Sequence, residues 1–164
     1  MKYSIVRKAF MVFFVLVAAA GCSEFSTEIK VVFPYNAWNR FKPMEASFEI
    51  TDLKKTYEVK VAVGVVDGFE HEILPLEIVI TSPSGQQNIL GKTLAIKKDG
   101  QYIGKARGDI WTSTLVIYPF KQFSEAGTYS VQILNRTQYF DLQKVESLSF
   151  EVNSVKIPKE KKDR

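Results

Sequence analysis

The sequence predicts an all-β fold, an antiparallel β-sandwich of about eight strands, and three observations support this. Apolar and polar residues alternate with period two along most of the chain, which is typical of strands with one buried face. Turn-forming pairs such as Asp67-Gly68 and Asp99-Gly100 separate the alternating segments. No segment has the repeat of a long amphipathic helix, and residues 138–146 are predicted to form two helical turns at most. Two sheets packed face to face would bury the apolar faces together.

The eight predicted strands follow one another in order, each as a run in which alternate residues are apolar. Pro75 lies in the fourth run, and because proline has no backbone N–H it predicts an edge strand or the start of a strand. The predicted strands cover residues 29–33, 44–50, 57–65, 74–80, 90–96, 111–117, 129–133 and 148–152.

Length and composition predict a single globular domain. The chain has 164 residues, of which 46% are apolar and 24% are charged. Cys22 is the single cysteine and His71 the single histidine, which excludes a disulfide framework and a cysteine-rich zinc site. The net charge of +4 comes mainly from the basic segments 1–21 and 158–164. Because nucleic-acid binding needs a clustered basic face, we expect no nucleic-acid partner.

Residues 1–21 have the composition of a bacterial lipoprotein signal peptide. A basic start is followed by an unbroken apolar run over residues 10–20, which is too short to span a membrane. Small residues directly before Cys22 favour cleavage there, so we expect diacylglycerol and a further acyl chain such as palmitate on Cys22. Such chains hold a protein on a membrane without a spanning helix. Ser23 favours the outer membrane and leaves the leaflet open, while an ordinary secretory signal is the alternative.

The chain is therefore predicted to have four parts. Residues 1–21 form the signal peptide and residues 22–27 a lipidated linker. Residues 28–155 form the β-sandwich domain, and residues 156–164 form a charged C-terminal tail.

Aromatic residues are the candidate contacts with a partner protein or a glycan. Trp38 lies with Tyr35 between the first two predicted strands, where we expect both to be exposed, and Trp111 opens a later strand. Exposed aromatic rings on a sandwich can anchor a protein partner or stack on sugars. The simpler alternative is that these rings belong to the core or its rim and bind nothing.

The loop from Tyr102 to Ile110 is the densest local motif and supplies two further candidates, Tyr102 and Asp109. It contains the tripeptide Arg-Gly-Asp at residues 107–109, which in isolation is a chance match. We expect a turn in which the glycines provide positive φ angles or close approach, with Asp109 bonding nearby backbone amides.

The sequence gives little support for catalysis or metal binding. No serine has the surroundings of a nucleophile elbow. His71 and the acidic residues of the loop 67–72 could ligate a metal, but a solvated hairpin loop is the simpler interpretation. Asp109 and Glu77 are the carboxylates one would name for glycoside hydrolysis, which needs a deep cleft. We therefore expect no enzyme, no metal and no cofactor apart from the covalent lipid.

Residues 99–110 are similar to the glycine-rich stretch Gly-x-Trp-x-Gly-x-x-x-Gly-Asp-Ile of a known family, with Tyr102 in place of the tryptophan. Cys22, the spacing from Phe33-Pro34 to Trp38, and the segment 127–129 are similar as well. On these features the chain resembles the gliding-motility lipoproteins of the GldH family of Bacteroidetes, over residues 28–152. The family's arginine near the end of the third strand is replaced by Gly64, and its Met-Arg after the seventh strand by Asn135-Arg136, which indicates a divergent member.

The resemblance implies an envelope lipoprotein needed for gliding and associated with the secretion machinery that gliding bacteria share. It implies no catalytic residues. The expected partners are the membrane, through the lipid on Cys22, and other envelope, gliding or secretion proteins. A glycan-binding lipoprotein that uses Trp38 and Trp111 is the alternative.

Overall fold

The computed structural model describes residues 25–157, and this part of the chain is almost entirely β-structure. Each of the eight strands with seven or more residues overlaps one of the eight predicted runs, while five further strands have only two or three residues. A 3-10 helix covers Pro34–Asn36. The strands of the described region are β1 (Ser26–Val32), β2 (Ala37–Asn39), β3 (Met44–Ile50), β4 (Thr56–Val66), β5 (Ile73–Thr81), β6 (Gln87–Ala95), β7 (Lys97–Lys98), β8 (Gln101–Tyr102), β9 (Lys105–Arg107), β10 (Ile110–Lys121), β11 (Gly127–Asn135), β12 (Asp141–Gln143) and β13 (Val145–Val155).

Two antiparallel sheets pack face to face, which confirms the predicted β-sandwich. One sheet has the order β1-β13-β4-β10-β9 and the other the order β3-β11-β5-β6. The alternate residues of β5 from Leu74 to Ile80 are buried, and β4 and β13 supply the facing core residues from the first sheet. Since successive side chains of a strand point to opposite faces, the period-two pattern places one apolar set of each sheet in the core.

Strand pairing shows that one detail of the sequence-based prediction is wrong, and it decides between the two alternatives given for Pro75. Residues 138–146 form no helical turn, because β12 pairs with β2 and its central residue Leu142 is buried. β5 is not an edge strand, since it pairs with both β11 and β6. Pro75 is tolerated because it lies near the start of β5, where pairing with β11 begins only at Leu76.

The strand register gives the sandwich two ends, which we call the proximal end and the distal end. The proximal end is where the described chain begins, and there Ser26 of β1 pairs with Asn153 near the end of β13. β4 begins beside the end of β13, and β11 begins beside the end of β3. The connections 51–55, 82–86 and 122–126 therefore lie at the proximal end.

The distal end is where β1 ends and β13 begins, with Val32 paired to Ser147. Because β13 has 11 residues, the two ends are about 35 Å apart. All five short strands lie in the connections at this end, which are residues 33–43, 67–72, 96–109 and 136–144.

The prediction of a signal peptide over residues 1–21, of lipidation at Cys22 and of a charged tail over 156–164 falls largely outside the described residues.

Candidate functional site

Trp38 lies in the core of the distal end, so the expectation that it is exposed was wrong. Its side chain is 0% exposed, and its indole ring stacks on the ring of Phe33 with centroids 5.2 Å apart. The indole Nε1–H donates to the carbonyl oxygen of Lys42 at 3.2 Å. The short strand β2, which is paired with β12, turns this ring inward. Trp38 therefore cannot contact a partner protein or a sugar.

A buried polar network joins β2 to β11, a strand of the sheet β3-β11-β5-β6. Asn135, at the end of β11, is 1% exposed and donates from Nδ2 to the carbonyl oxygen of Trp38 at 3.2 Å. The hydroxyl of Thr137 donates to Oδ1 of Asn135 at 2.8 Å. The ribbon formed by β2 and β12 thus crosses the distal end, and the turns that follow β2 and precede β12 are held together.

These two turns present a pair of exposed phenylalanines, Phe41 and Phe140, which we call the distal aromatic pair. The two side chains are 68% and 62% exposed, and their ring centroids lie 5.4 Å apart in an edge-on arrangement. The backbone N–H of Arg40 donates to the carbonyl oxygen of Phe140 at 2.9 Å. The Arg40 guanidinium lies 5.4 Å from the centroid of the Phe41 ring.

Asn39 fixes the backbone under the distal aromatic pair. Its Oδ1 accepts from the N–H of Phe41 at 2.9 Å, and its Nδ2 donates to Oδ1 of Asp141 at 2.8 Å. The pair was not recognised from the sequence, because Phe41 and Phe140 are 99 positions apart and neither lies in an alternating run. The one sign in the sequence was that each phenylalanine lies in a polar connecting segment, outside the alternating runs that place apolar residues in the core.

Tyr35 is exposed, as expected, on the connection between β1 and β2. Its side chain is 97% exposed, and both Tyr35 and Asn36 adopt left-handed backbone conformations with φ of 58° and 53°. Such angles are uncommon for residues other than glycine and carry a conformational cost. The fully exposed ring is therefore held by a strained segment of the distal end.

The loop 102–110 forms the predicted turn. Gly108 has φ of 64°, which favours glycine. A Cβ atom added to Gly104 would collide with the carbonyl oxygen of Thr112, so only glycine allows this close approach. Asp109 is exposed and accepts the N–H of Asp67 at 2.8 Å through its carbonyl oxygen rather than through its carboxylate.

The glycines of this stretch thus have structural reasons. A family model described as GldH lipoprotein matches residues 27–152. The chain belongs to the GldH lipoprotein family. This confirms the resemblance found in the sequence and makes the protein a gliding-motility-associated lipoprotein, which indicates a membrane-anchored protein of the cell envelope. Among the residues that the structure describes, no helix is long and apolar enough to cross a bilayer.

Other comparisons add no functional information. No curated protein matches the sequence. Among solved structures, the chain is similar to VP2 in the infectious bursal disease virus VP2 subviral particle, at 12% identity and a TM-score of 0.38. That match covers 80% of this chain and only 33% of the VP2 chain.

Tyr102 packs in a stack with Trp111. The two rings are 4.8 Å apart and nearly parallel, and Lys97 Nζ lies 4.6 Å from the centroid of the Tyr102 ring. Both aromatic residues are half-buried, and the Tyr102 hydroxyl is buried without a hydrogen-bond partner in the described region. Because its ring is flanked on two sides, Tyr102 is poorly placed to stack on a ligand.

Gly64 lies in a tightly packed part of β4. A Cβ atom there would lie 2.7 Å from Ser147 Oγ and 3.0 Å from Glu146 Oε2. Ser147 directly opposes Gly64, next to an irregularity in the pairing of β13 with β4. In this GldH-family protein the neighbours of Gly64 therefore leave little room for a side chain.

The acidic residues named from the sequence are not brought together as a catalytic or metal-binding set. No group of three His, Cys, Asp or Glu side chains able to hold a metal occurs within residues 25–157. His71 instead contacts the rings of Phe69 and Tyr139, with centroids 5.3 and 5.0 Å away. Glu77 lies in β5 and pairs with Arg136 at 2.7 Å, whereas Asp109 lies in the β9–β10 turn of the other sheet.

The proximal end has its own polar cluster, around Glu125. The carboxylate of Glu125 accepts from the hydroxyl and the backbone N–H of Ser84 at 2.9 and 3.0 Å, and from the hydroxyl of Ser82 at 3.1 Å. These hydrogen bonds, those from Ser84 first, hold the pKa of Glu125 below its ordinary value of 4.5. The cluster links the connections 82–86 and 122–126 of the proximal end.

Proposed function

We propose that this GldH-family protein is a non-enzymatic accessory component of an assembly linked to gliding motility and secretion. It joins that assembly by protein–protein contact while the acylated Cys22 holds it on the outer membrane. Tethering confines the domain near partners on the same membrane and so raises their effective concentration. Membership of the GldH family supports the envelope location and the link to gliding.

The observation that carries the proposal is the opposition of the two ends. Cys22 precedes the first described residue, Phe25, by three positions, and three residues span at most about 11 Å. A lipid on Cys22 would therefore keep the proximal end beside the membrane. The distal end, with Tyr35 and the distal aromatic pair, would face away from that membrane at a distance of about 35 Å.

Replacement of the anchoring cysteine tests the proposal. Cys22→Ala should move the protein from the membrane fraction to the soluble fraction and abolish gliding or secretion, with an unchanged circular dichroism spectrum. Ser23→Ala, which keeps the cysteine, is the matched control and should retain both membrane association and function. A soluble Cys22→Ala protein that still supports gliding would refute the tethering mechanism.

The structure does not favour the glycan-binding alternative. That hypothesis required exposed rings at Trp38 and Trp111. Trp38 is buried in the core, and one face of the half-buried Trp111 ring is covered by Tyr102. Protein contact at the distal end therefore remains the function that the described residues support best.

A further inference from the structure

We propose that the distal aromatic pair is the docking surface for an envelope protein that offers an apolar pocket with an acidic rim. This inference rests on the proposed function and assigns it a surface and a class of partner. Its basis is the combination of exposed aromatic rings, a rigid support beneath them, and unpaired positive charge beside them.

The rings are both exposed and held in place, as the anchors of a protein interface are. Most of each phenylalanine side chain is accessible, yet the backbone below it is fixed by the Arg40–Phe140 and Asn39–Asp141 hydrogen bonds. The buried amide of Asn135 ties this support to the opposite sheet. Large apolar rings that are ordered before binding lose little conformational entropy in a complex, which favours them as binding hot spots.

The positive charge beside the rings favours a partner with an acidic surface. Arg40 and Lys42 flank Phe41, and neither forms a salt bridge with any residue of the described region. The nearby carboxylate of Asp141 accepts a hydrogen bond from the neutral amide of Asn39 and keeps its negative charge, which the charges of Arg40 and Lys42 together exceed by one. Acidic side chains around the partner's pocket would complement these two cations, which favours association and discriminates against basic surfaces.

Three other occupants fit less well. Residues 158–164 follow Ile157 at the proximal end and span at most about 25 Å, so this segment does not reach the pair. The membrane that would hold Cys22 lies at the opposite end of the sandwich. A second copy in a two-fold contact would place the Arg40 and Lys42 side chains of one chain against those of the other, which is repulsive.

The test is a crosslinked pull-down of the tagged full-length protein from its native envelope. Partners are identified by mass spectrometry, purified, and titrated against each variant. Phe41→Ala combined with Phe140→Ala should weaken binding about tenfold or more, while the urea unfolding curve stays unchanged. Phe120→Ala is the matched control, because Phe120 is 52% exposed but lies near the end of β10, at the proximal end. This control should leave affinity within about twofold of the unmodified protein.

Charge reversal supplies a second, independent variant. Arg40→Glu should weaken binding about tenfold, and the loss should shrink at high salt. Lys54→Glu, in the proximal connection 51–55, is its control and should have no effect. Tighter binding by Arg40→Glu would refute the acidic rim.

The outcomes separate the docking surface from the function on which it rests. If the unmodified protein recovers no envelope protein, the proposed function fails and the docking surface with it. If a partner is recovered and the double variant binds it equally well, only the docking surface fails. If the double variant instead loses binding to phosphatidylethanolamine–phosphatidylglycerol vesicles, the pair is a membrane-binding surface and the proposal is overturned. If it loses binding to a differently tagged second copy, the pair is a self-association surface and the proposal is likewise overturned.

Discussion

The two ends of the sandwich differ in the length of their connections and in the contacts that hold those connections in place. At the proximal end, the connections 51–55, 82–86 and 122–126 each have five residues, and the last two are joined by exposed hydrogen bonds such as those of Glu125 with Ser84. At the distal end, the connections are longer, contain all five short strands, and are held by buried long-range contacts such as that of Asn135 with Trp38. The proximal turns join strands, whereas the distal connections form a supported surface.

The two ends should therefore respond differently to substitution. Hydrogen bonds between exposed groups contribute little stability, so the exposed residues of the proximal turns should tolerate change, whereas Phe123 is buried against Tyr57 and should not. The distal surface depends on a few buried side chains and should be lost when they are altered. Exposed distal rings should matter for contact and not for folding.

The largest expected effect is that of truncating the distal tryptophan. Trp38→Ala should lower the free energy of unfolding by about 3–5 kcal/mol, because a fully buried indole and its stack on Phe33 are lost. Tyr35→Ala, three residues earlier and almost fully exposed, should change it by about 0.5 kcal/mol or less. Urea unfolding of a chain from residue 22 onward that carries Cys22→Ala measures both, and equal losses would contradict the burial-based account.

The next effect sharpens the comparison by removing one amide from each end. Asn135→Ala should cost about 2 kcal/mol, because the carbonyl oxygen of Trp38 and the hydroxyl of Thr137 are left without their partner in a buried site. Asn153→Ala removes an exposed bond with Ser26 at the proximal end and should cost about 0.5 kcal/mol or less. The same urea unfolding measurement compares them, and a costlier proximal variant would reverse the proposed contrast.

Two glycine substitutions should have effects of comparable size and opposite sign. Gly104→Ala should destabilise the protein by about 1–3 kcal/mol, because the new methyl group meets the Thr112 carbonyl oxygen. Gly91→Ala, in the exposed edge strand β6 with no atom within 4 Å of the new methyl group, should be neutral or stabilising by about 0.5 kcal/mol. Thermal unfolding should show a lower melting temperature for Gly104→Ala and an unchanged or higher one for Gly91→Ala. A Gly104→Ala protein with an unchanged melting temperature would show that the backbone of the loop 102–110 can shift to accommodate the methyl group.

The smallest effect concerns pH at the proximal end. Since the pKa of Glu125 is below 4.5 in the folded state, its contribution to stability is present above about pH 4.5 and is lost as pH falls through that lower pKa. An NMR titration should find the depressed pKa, and Ser84→Ala should raise it toward the ordinary value. A pKa that does not change in Ser84→Ala would show that the hydrogen bond from the Ser84 hydroxyl is not its cause.

The sequence was sufficient to predict the sandwich because its long strands carry a strong local signal. The run 57–65, for example, alternates valines with polar or small residues, and it forms β4. The short strands were not predicted, because two or three residues show no periodicity. The segment 138–146 was misassigned for this reason, since β12 depends on its pairing with β2 about 100 positions away.

The candidate site was predicted only in part. The exposure of Tyr35 and the close approach at Gly104 followed from local features of the sequence. Trp38 was placed outside the core because its neighbours do not alternate, and its burial depends on the ribbon that crosses the distal end. The distal aromatic pair could not be predicted, because Phe41 and Phe140 meet through the pairing of β2 with β12 and not through any local pattern.

The central claim is that the distal end contacts protein while the proximal end faces the membrane. Site-specific photo-crosslinking in the native envelope tests it most directly, with a photoreactive phenylalanine analogue placed at Phe41 or at Leu53, which is exposed on the proximal connection 51–55. The account predicts a discrete protein adduct from position 41 and none from position 53. A protein adduct from position 53 alone would contradict it.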